Sequence, residues 1–229
     1  MCFRIYLFGL IGFLLALTAE SKVGNSSVPN FCSETEECLL FDQICKTDEY
    51  EVRHYDATKW VSTEEKSMFM EFATMKAFRR LFEYISGANE NGEKIEMTAP
   101  VIIKIAEDKS PLLFWKPRIY TMSFLLPAKH QANPPKPTDT KLFITDMADM
   151  KVYVLSYGGW MLSMTEKINS NKLFSALTSV GAEFQNDYRY AVGYNSPMKM
   201  FNRHNEVWYV VEDEPVCSSS EELELSPMA

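Results

Sequence analysis

Short stretches rich in Val, Ile, Tyr and Phe alternate with polar positions at Tyr50–Tyr55, Val101–Ala106, Ile119–Leu126, Lys151–Tyr157, Arg189–Tyr194 and Val207–Glu212, and they predict strands. Two longer stretches keep a helical period. In the first, about Ser67 to Ser86, Met68, Phe72, Met75, Phe78, Phe82 and Ile85 form one apolar row, and Phe69, Ala73, Ala77, Leu81 and Tyr84 form a second beside it. One row suffices to cover a sheet. The other needs a further apolar partner: the rest of the core, another subunit or a flat apolar ligand. The second helix, about Glu166 to Val180, has the narrower set Ile168, Leu173, Leu177 and Val180, the pattern of ordinary sheet cover.

These elements run strand, helix, several strands, and then repeat. YEVRHYDATKW ends at Trp60 and MKVYVLSYGGW at Trp160; the two helices close with Gly87 and Gly181; Pro100 and Pro197 each lead toward a further strand. An internal duplication is the economical explanation. Four prolines between Pro127 and Pro137 read as a surface connection between the halves. The regular βαβ alternation of a parallel sheet is missing, so the expected class is α+β: a pseudo-twofold duplicated unit with antiparallel sheet.

The ends differ from this middle. Residues 1–19 carry a single base, Arg4, and an uncharged run of 13 residues from Ile5 to Leu17, then Thr18 and Ala19. That is too short for a membrane helix and has the proportions of a cleaved signal peptide. No later segment is expected to span a bilayer. With Cys2 gone, Cys32, Cys38, Cys45 and Cys217 remain, an even number for an oxidising compartment, so two disulfides are expected with three connectivities open. Asn25-Ser26-Ser27 is a glycosylation sequon, in keeping with a secreted, extracellular protein.

Composition adds exclusions. Apolar residues make up 46% and charged residues 24%, an ordinary soluble composition. The net charge is −8, and six acids without a base lie in residues 212–229, so the middle is nearly neutral and nucleic acid is not an expected partner. Catalytic constellations are sparse. His54, His130 and His204 are far apart, the cysteines are committed to disulfides, and pairs such as Glu64-Glu65 read as solvated. No enzyme is expected. His54, inside a patterned strand, is either a hydrogen-bonded strand histidine or an axial ligand to haem iron.

Four blocks, YEVRHYDATKWVST (Tyr50–Thr63), KIEMTAPV (Lys94–Val101), NPPKP (Asn133–Pro137) and GYNSPMKMFNRHNEVW (Gly193–Trp208), resemble the SOUL/haem-binding protein family in its SOUL branch. The resemblance implies a distorted antiparallel β-barrel or sheet flanked by two helices. It implies reversible binding of haem or another tetrapyrrole in a shallow apolar groove between the first helix and a late loop. Met75, Phe78 and Phe82 would form one wall and Met198, Lys199, Met200 and Phe201 the other, with aromatic and Met side chains on the ring face. Lys199 would meet the propionates, with Arg203, Arg79 and Arg80 as further cations, and His54 would be the axial ligand. An arginine of a sister branch falls here at Met75. The chain then divides into a signal peptide (1–19), a Cys-containing extension (20–48), a SOUL haem-binding domain (49–212) and an acidic tail (213–229). The expected function is a secreted, non-catalytic haem or porphyrin carrier or scavenger. The alternative is an extracellular protein-interaction module with vestigial tetrapyrrole binding.

Overall fold

A computed structural model describes residues 23–25, 29–107 and 117–218. Residues 1–19, expected as a signal peptide, Ser26 and Ser27 of the sequon, and the acidic tail from residue 219 onward lie outside the described residues; Asn25 itself is exposed. In chain order the elements are β1 (Val23–Asn25), β2 (Glu37–Leu39), β3 (Asp42–Lys46), β4 (Glu51–Tyr55), β5 (Thr58–Ser67), α1 (Met70–Ile85), β6 (Val101–Ala106), β7 (Arg118–Leu125), a 3-10 turn (Ala128–His130), β8 (Leu142–Met147), β9 (Met150–Tyr157), α2 (Ser163–Ser179), β10 (Tyr188–Gly193) and β11 (Asn205–Val210). Gly87 and Gly181 follow the helices at φ 120° and 66°, a backbone region open to glycine but strained for other residues.

Nine strands form one antiparallel sheet in the order β3-β4-β9-β11-β10-β6-β7-β5-β8. Its edges, β3 and β8, do not pair, so the sheet is open rather than a closed barrel. The duplication is visible in this order. β6 and β10 pair across the centre, from Val101↔Gly193 to Ala106↔Tyr188, and outward from them β7 matches β11 and β5 matches β9. The outermost pairings are exchanged: β4 pairs with β9 and β8 pairs with β5, although β4 precedes β5 and β8 precedes β9 by two residues.

The repeat is therefore offset from the one expected between the two tryptophans. Trp60 lies inside β5 and is fully buried, whereas Trp160 lies between β9 and α2 and is exposed. Likewise Pro100 leads directly into β6, but Pro197 sits in the loop between β10 and β11.

β5 carries TKWVSTEEKS and yet runs through the core. Its hydroxyls are satisfied across strands: Ser62 Oγ bonds Ser123 Oγ and accepts from Thr145 Oγ1, each at 2.7 Å, and Thr63 Oγ1 donates to the Lys141 carbonyl at 3.1 Å. α1 packs on β5 and β7 through Met70, Ala73, Ala77, Leu81, Tyr84 and Ile85. α2 packs on β9 and β11 through Leu173, Ala176 and Leu177. Ile168, expected to face that sheet, is exposed instead. The buried position nearby is taken by Glu166, which accepts from Arg189 Nε and Nη2 at 2.6 and 2.7 Å.

The cysteine question resolves as Cys32–Cys38 and Cys45–Cys217. The N-terminal extension is built into the fold. β3 joins the sheet, and Val23, Cys32, Cys38 and Leu39 complete an apolar cluster with Tyr55, Trp60, Ile102 and Trp208.

Candidate ligand-binding groove

Of the two rows on α1, the alanine row faces the sheet because small side chains let the helix approach closely. Most of the other row is left outside, with Phe72, Met75 and Phe82 at 60, 70 and 51% exposed, while Ile85 at its end is buried. Phe78 is half-buried, packing edge-on against Phe124 at 5.2 Å and stacking with Phe82 at 6.0 Å. Beside it opens a pocket of about 160 Å³, lined by Phe78 and Phe82 of α1, by Met97, Thr98, Ala99 and Val101, by Gly193–Pro197, and by Glu34 and Thr35 of the extension. The loop from residue 194 to 204 continues outward with Met198, Met200 and Phe201 at 86, 63 and 79% exposed. Single exposed apolar side chains are ordinary; so many on two elements that share a pocket mark a binding surface.

This loop is rigidly held. Arg203 Nη1 donates to the carbonyls of Ser196 and Lys199 at 2.8 and 2.7 Å, and its guanidinium lies 4.6 Å from the Trp160 ring centre. Arg203 thus fixes the loop's shape, and its charge is engaged. Arg80, expected as a groove cation, donates to Thr63 and Glu65 and pairs with Asp139. Arg79 pairs with Glu83 on the helix surface. Lys199 does lie at the groove mouth, with its Nζ 2.9 Å from Glu34 Oε1. Burial pushes the Glu34 carboxyl up, but the Ser196 N–H, Lys199 and Asn195 outweigh this and hold it below the ordinary value of 4.5.

Sequence reasoning missed Glu34, Thr35, Met97 and Thr98. Met97 and Thr98 lay in the quoted KIEMTAPV block, and Glu34 and Thr35 in a short acidic stretch between Cys32 and Cys38, so a signal existed for each.

The structure does not bring His54 to this groove. Its strand partner on β9 is Lys151, while the groove end of β9 is Tyr157, in line with Asn205, Gly193 and Val101. Six residues along a strand amount to about 20 Å. His54 Nε2 donates to Asp149 at 2.6 Å, and Nδ1 lies 3.8 and 4.0 Å from Asp42 and Asp56. Asp56 and Asp149 belong to the two links by which the exchanged strands cross, so His54 sits where these links meet. Among the described residues, His54, Asp56 and Asp149 are the group whose donors gather as metal ligands could, within 4.8 Å of one another.

Behind the loop, Glu206 is fully buried. It accepts from Arg53 Nη1 (3.0 Å), His204 Nε2 (2.7 Å), Tyr194 OH (3.0 Å) and Trp208 Nε1 (2.7 Å). Burial would raise its carboxyl, but the Arg53 guanidinium, His204 and the Trp208 N–H overcome it and bring the pKa to about 2. This network ties β4, β11 and the start of the loop into one support for the groove wall.

The duplicated α+β sheet is the fold of one family, and the sequence matches it. The family model described as SOUL heme-binding protein covers residues 36–210, and the chain belongs to that family. It is 39% identical over 166 residues to heme-binding protein 2 of Homo sapiens, spanning 72% of this chain and 80% of that protein. It is 31% identical over 161 residues to heme-binding protein 1 of Xenopus laevis, spanning 70% and 83%. Among solved structures, the EcmrR C-terminal domain superposes with a TM-score of 0.50 at 10% identity over 76% of this chain and 99% of that one, a likeness of fold alone. Among the described residues, no helix is long and apolar enough to cross a membrane.

Proposed function

We propose that this chain is a secreted, non-catalytic carrier or scavenger that binds haem or a related tetrapyrrole reversibly in the groove between α1 and the β10–β11 loop. The observation that carries this reading is the exposed row Phe72, Met75 and Phe82 running beside a pocket shared with a loop bearing Met198, Met200 and Phe201. Membership of a haem-binding family and the names of its relatives support it. A pocket of about 160 Å³ is small against the ~300–1,000 Å³ of a ligand cavity, so it would take only one edge of the ring. The disc would lie over the exposed row, with aromatic and thioether contacts to its face. Such a shallow seat suits reversible binding. The iron supplies the group's redox and ligation chemistry; the chain supplies apolar contact, and His54 takes no part. The two disulfides support export to an oxidising compartment.

Hemin titration of the mature, oxidised protein tests this. The expected result is a shifted, sharpened Soret band saturating at one hemin per chain. An absorbance that keeps rising in proportion to hemin, without saturation at micromolar levels, overturns it. The same small pocket and large exposed rim favour a second reading in that case, an extracellular module whose groove takes an apolar protein surface.

A further inference from the structure

Glu34 holds both carboxylate oxygens against the groove's outer wall. Oε1 accepts from Lys199 Nζ at 2.9 Å and from Asn195 Nδ2 at 3.1 Å, and Oε2 accepts from the Ser196 backbone N–H at 2.7 Å. A cation, an amide and a backbone N–H converging on one carboxylate have the geometry of an anion receptor. The segment carrying Glu34 is fixed independently of this contact. It is closed by Cys32–Cys38, Phe31 stacks on His204 with ring centres 4.2 Å apart, and Leu39 N–H donates to the Ala99 carbonyl at 2.9 Å. Glu34 also lies outside residues 36–210, so its presence here is not part of the family match.

We propose that Ser196, Asn195 and Lys199 form an anion site at the groove mouth, filled by the protein's own Glu34 as a tethered competitor. An apolar ligand with a carboxylate reaches full contact only by displacing that side chain, whereas its neutral ester enters without the exchange. Glu34 is thus a specificity-determining residue that lowers the groove's preference for acidic ligands. The anion site stands on these contacts alone; its effect on tetrapyrroles rests on the proposed function.

The test compares the oxidised wild type with Glu34→Gln, using hemin and hemin dimethyl ester. Because the Glu34–Lys199 pair is partly exposed, Glu34→Gln should tighten hemin about three- to tenfold and leave the diester within about twofold. Glu34→Asp should fall between, and adding Lys199→Gln should remove the gain. Equal changes for acid and ester, or no change, overturn the inference. A second arm needs no tetrapyrrole: acetylation of Lys199, read by mass spectrometry, should be faster in Glu34→Gln than in wild type. Excess butyrate should slow it again only in the variant. Unaltered Lys199 reactivity sinks the anion site, while failure of both porphyrins to bind with this arm intact sinks the tetrapyrrole reading alone.

Discussion

Replacing Glu206 by Gln keeps the shape of the buried network and removes its negative charge. Arg53 would then face an uncharged partner in the core, retaining the Glu51 carboxylate, which accepts from its Nε and Nη2 at 2.9 and 2.6 Å, and the Tyr55 hydroxyl at 3.3 Å. Removing one member of a buried pair generally costs about 3–5 kcal/mol, and the remaining Glu51 contact places the expectation at about 3. The pH dependence gives an independent magnitude. Glu206 falls from an ordinary 4.5 to about 2 on folding, so its ionised form contributes about 3 kcal/mol. Because the folded value is depressed, that stability is fully present above about pH 4.5 and is lost as pH falls toward 2, with about 2 kcal/mol gone by pH 3. Urea unfolding followed by tryptophan fluorescence should therefore show wild type and Glu206→Gln separated by about 3 kcal/mol at pH 7 and by about 1 at pH 3. The other carboxylates titrate in both proteins and drop out of the difference. A gap below about 1 kcal/mol at pH 7, or one of equal size at both pH values, refutes the reasoning. Arg53→Met in the Glu206→Gln background should recover part of the loss.

Other outcomes follow from the same geometry. Cys45→Ser with Cys217→Ser opens a closure spanning 172 residues, for which chain entropy sets a ceiling of about 5 kcal/mol. A loss of about 2–5 kcal/mol in urea is expected, and one under about 1 would mean the bond does not restrain the unfolded chain. Phe82→Ser, at a side chain 51% exposed, should weaken hemin about five- to tenfold while lowering the unfolding free energy by no more than about 2 kcal/mol, the cost of its half-buried area. A large stability loss with unaltered hemin affinity would make that row structural. His54→Ala should leave the ferric hemin spectrum unchanged, since His54 bonds Asp149 well away from the groove; a displaced Soret band would contradict this placement.

Much of the fold was legible because apolar burial leaves a period. β6 lies at the residues its pattern predicted, α1 was found with both its rows, and the glycines marked both helix ends. The pattern failed where polar groups are buried and satisfied by partners distant in sequence. β5 shows no apolar alternation because Ser62 and Thr63 find hydroxyl and carbonyl partners on β7 and near β8. Glu166 and Ile168 exchanged roles because the buried cation that draws Glu166 inward is Arg189, 23 residues away. The groove was legible in outline, since an exposed Phe and Met row has no use in covering a sheet. Its electrostatics were not: Lys199 and Arg203 read as free cations, and only three-dimensional proximity reveals Glu34 and the loop carbonyls that engage them.

The exchange of outer strands has a consequence for how the molecule comes into being. Cut at the proline-rich connection, the first half would lack the neighbour that β4 requires, and the second would lack the one that β8 requires. Each piece would present raw main-chain edges, inviting association with other chains. Each half completes the other, as the partners of a domain-swapped pair do. That mutual dependence within one polypeptide means its halves cannot be separated without baring both edges.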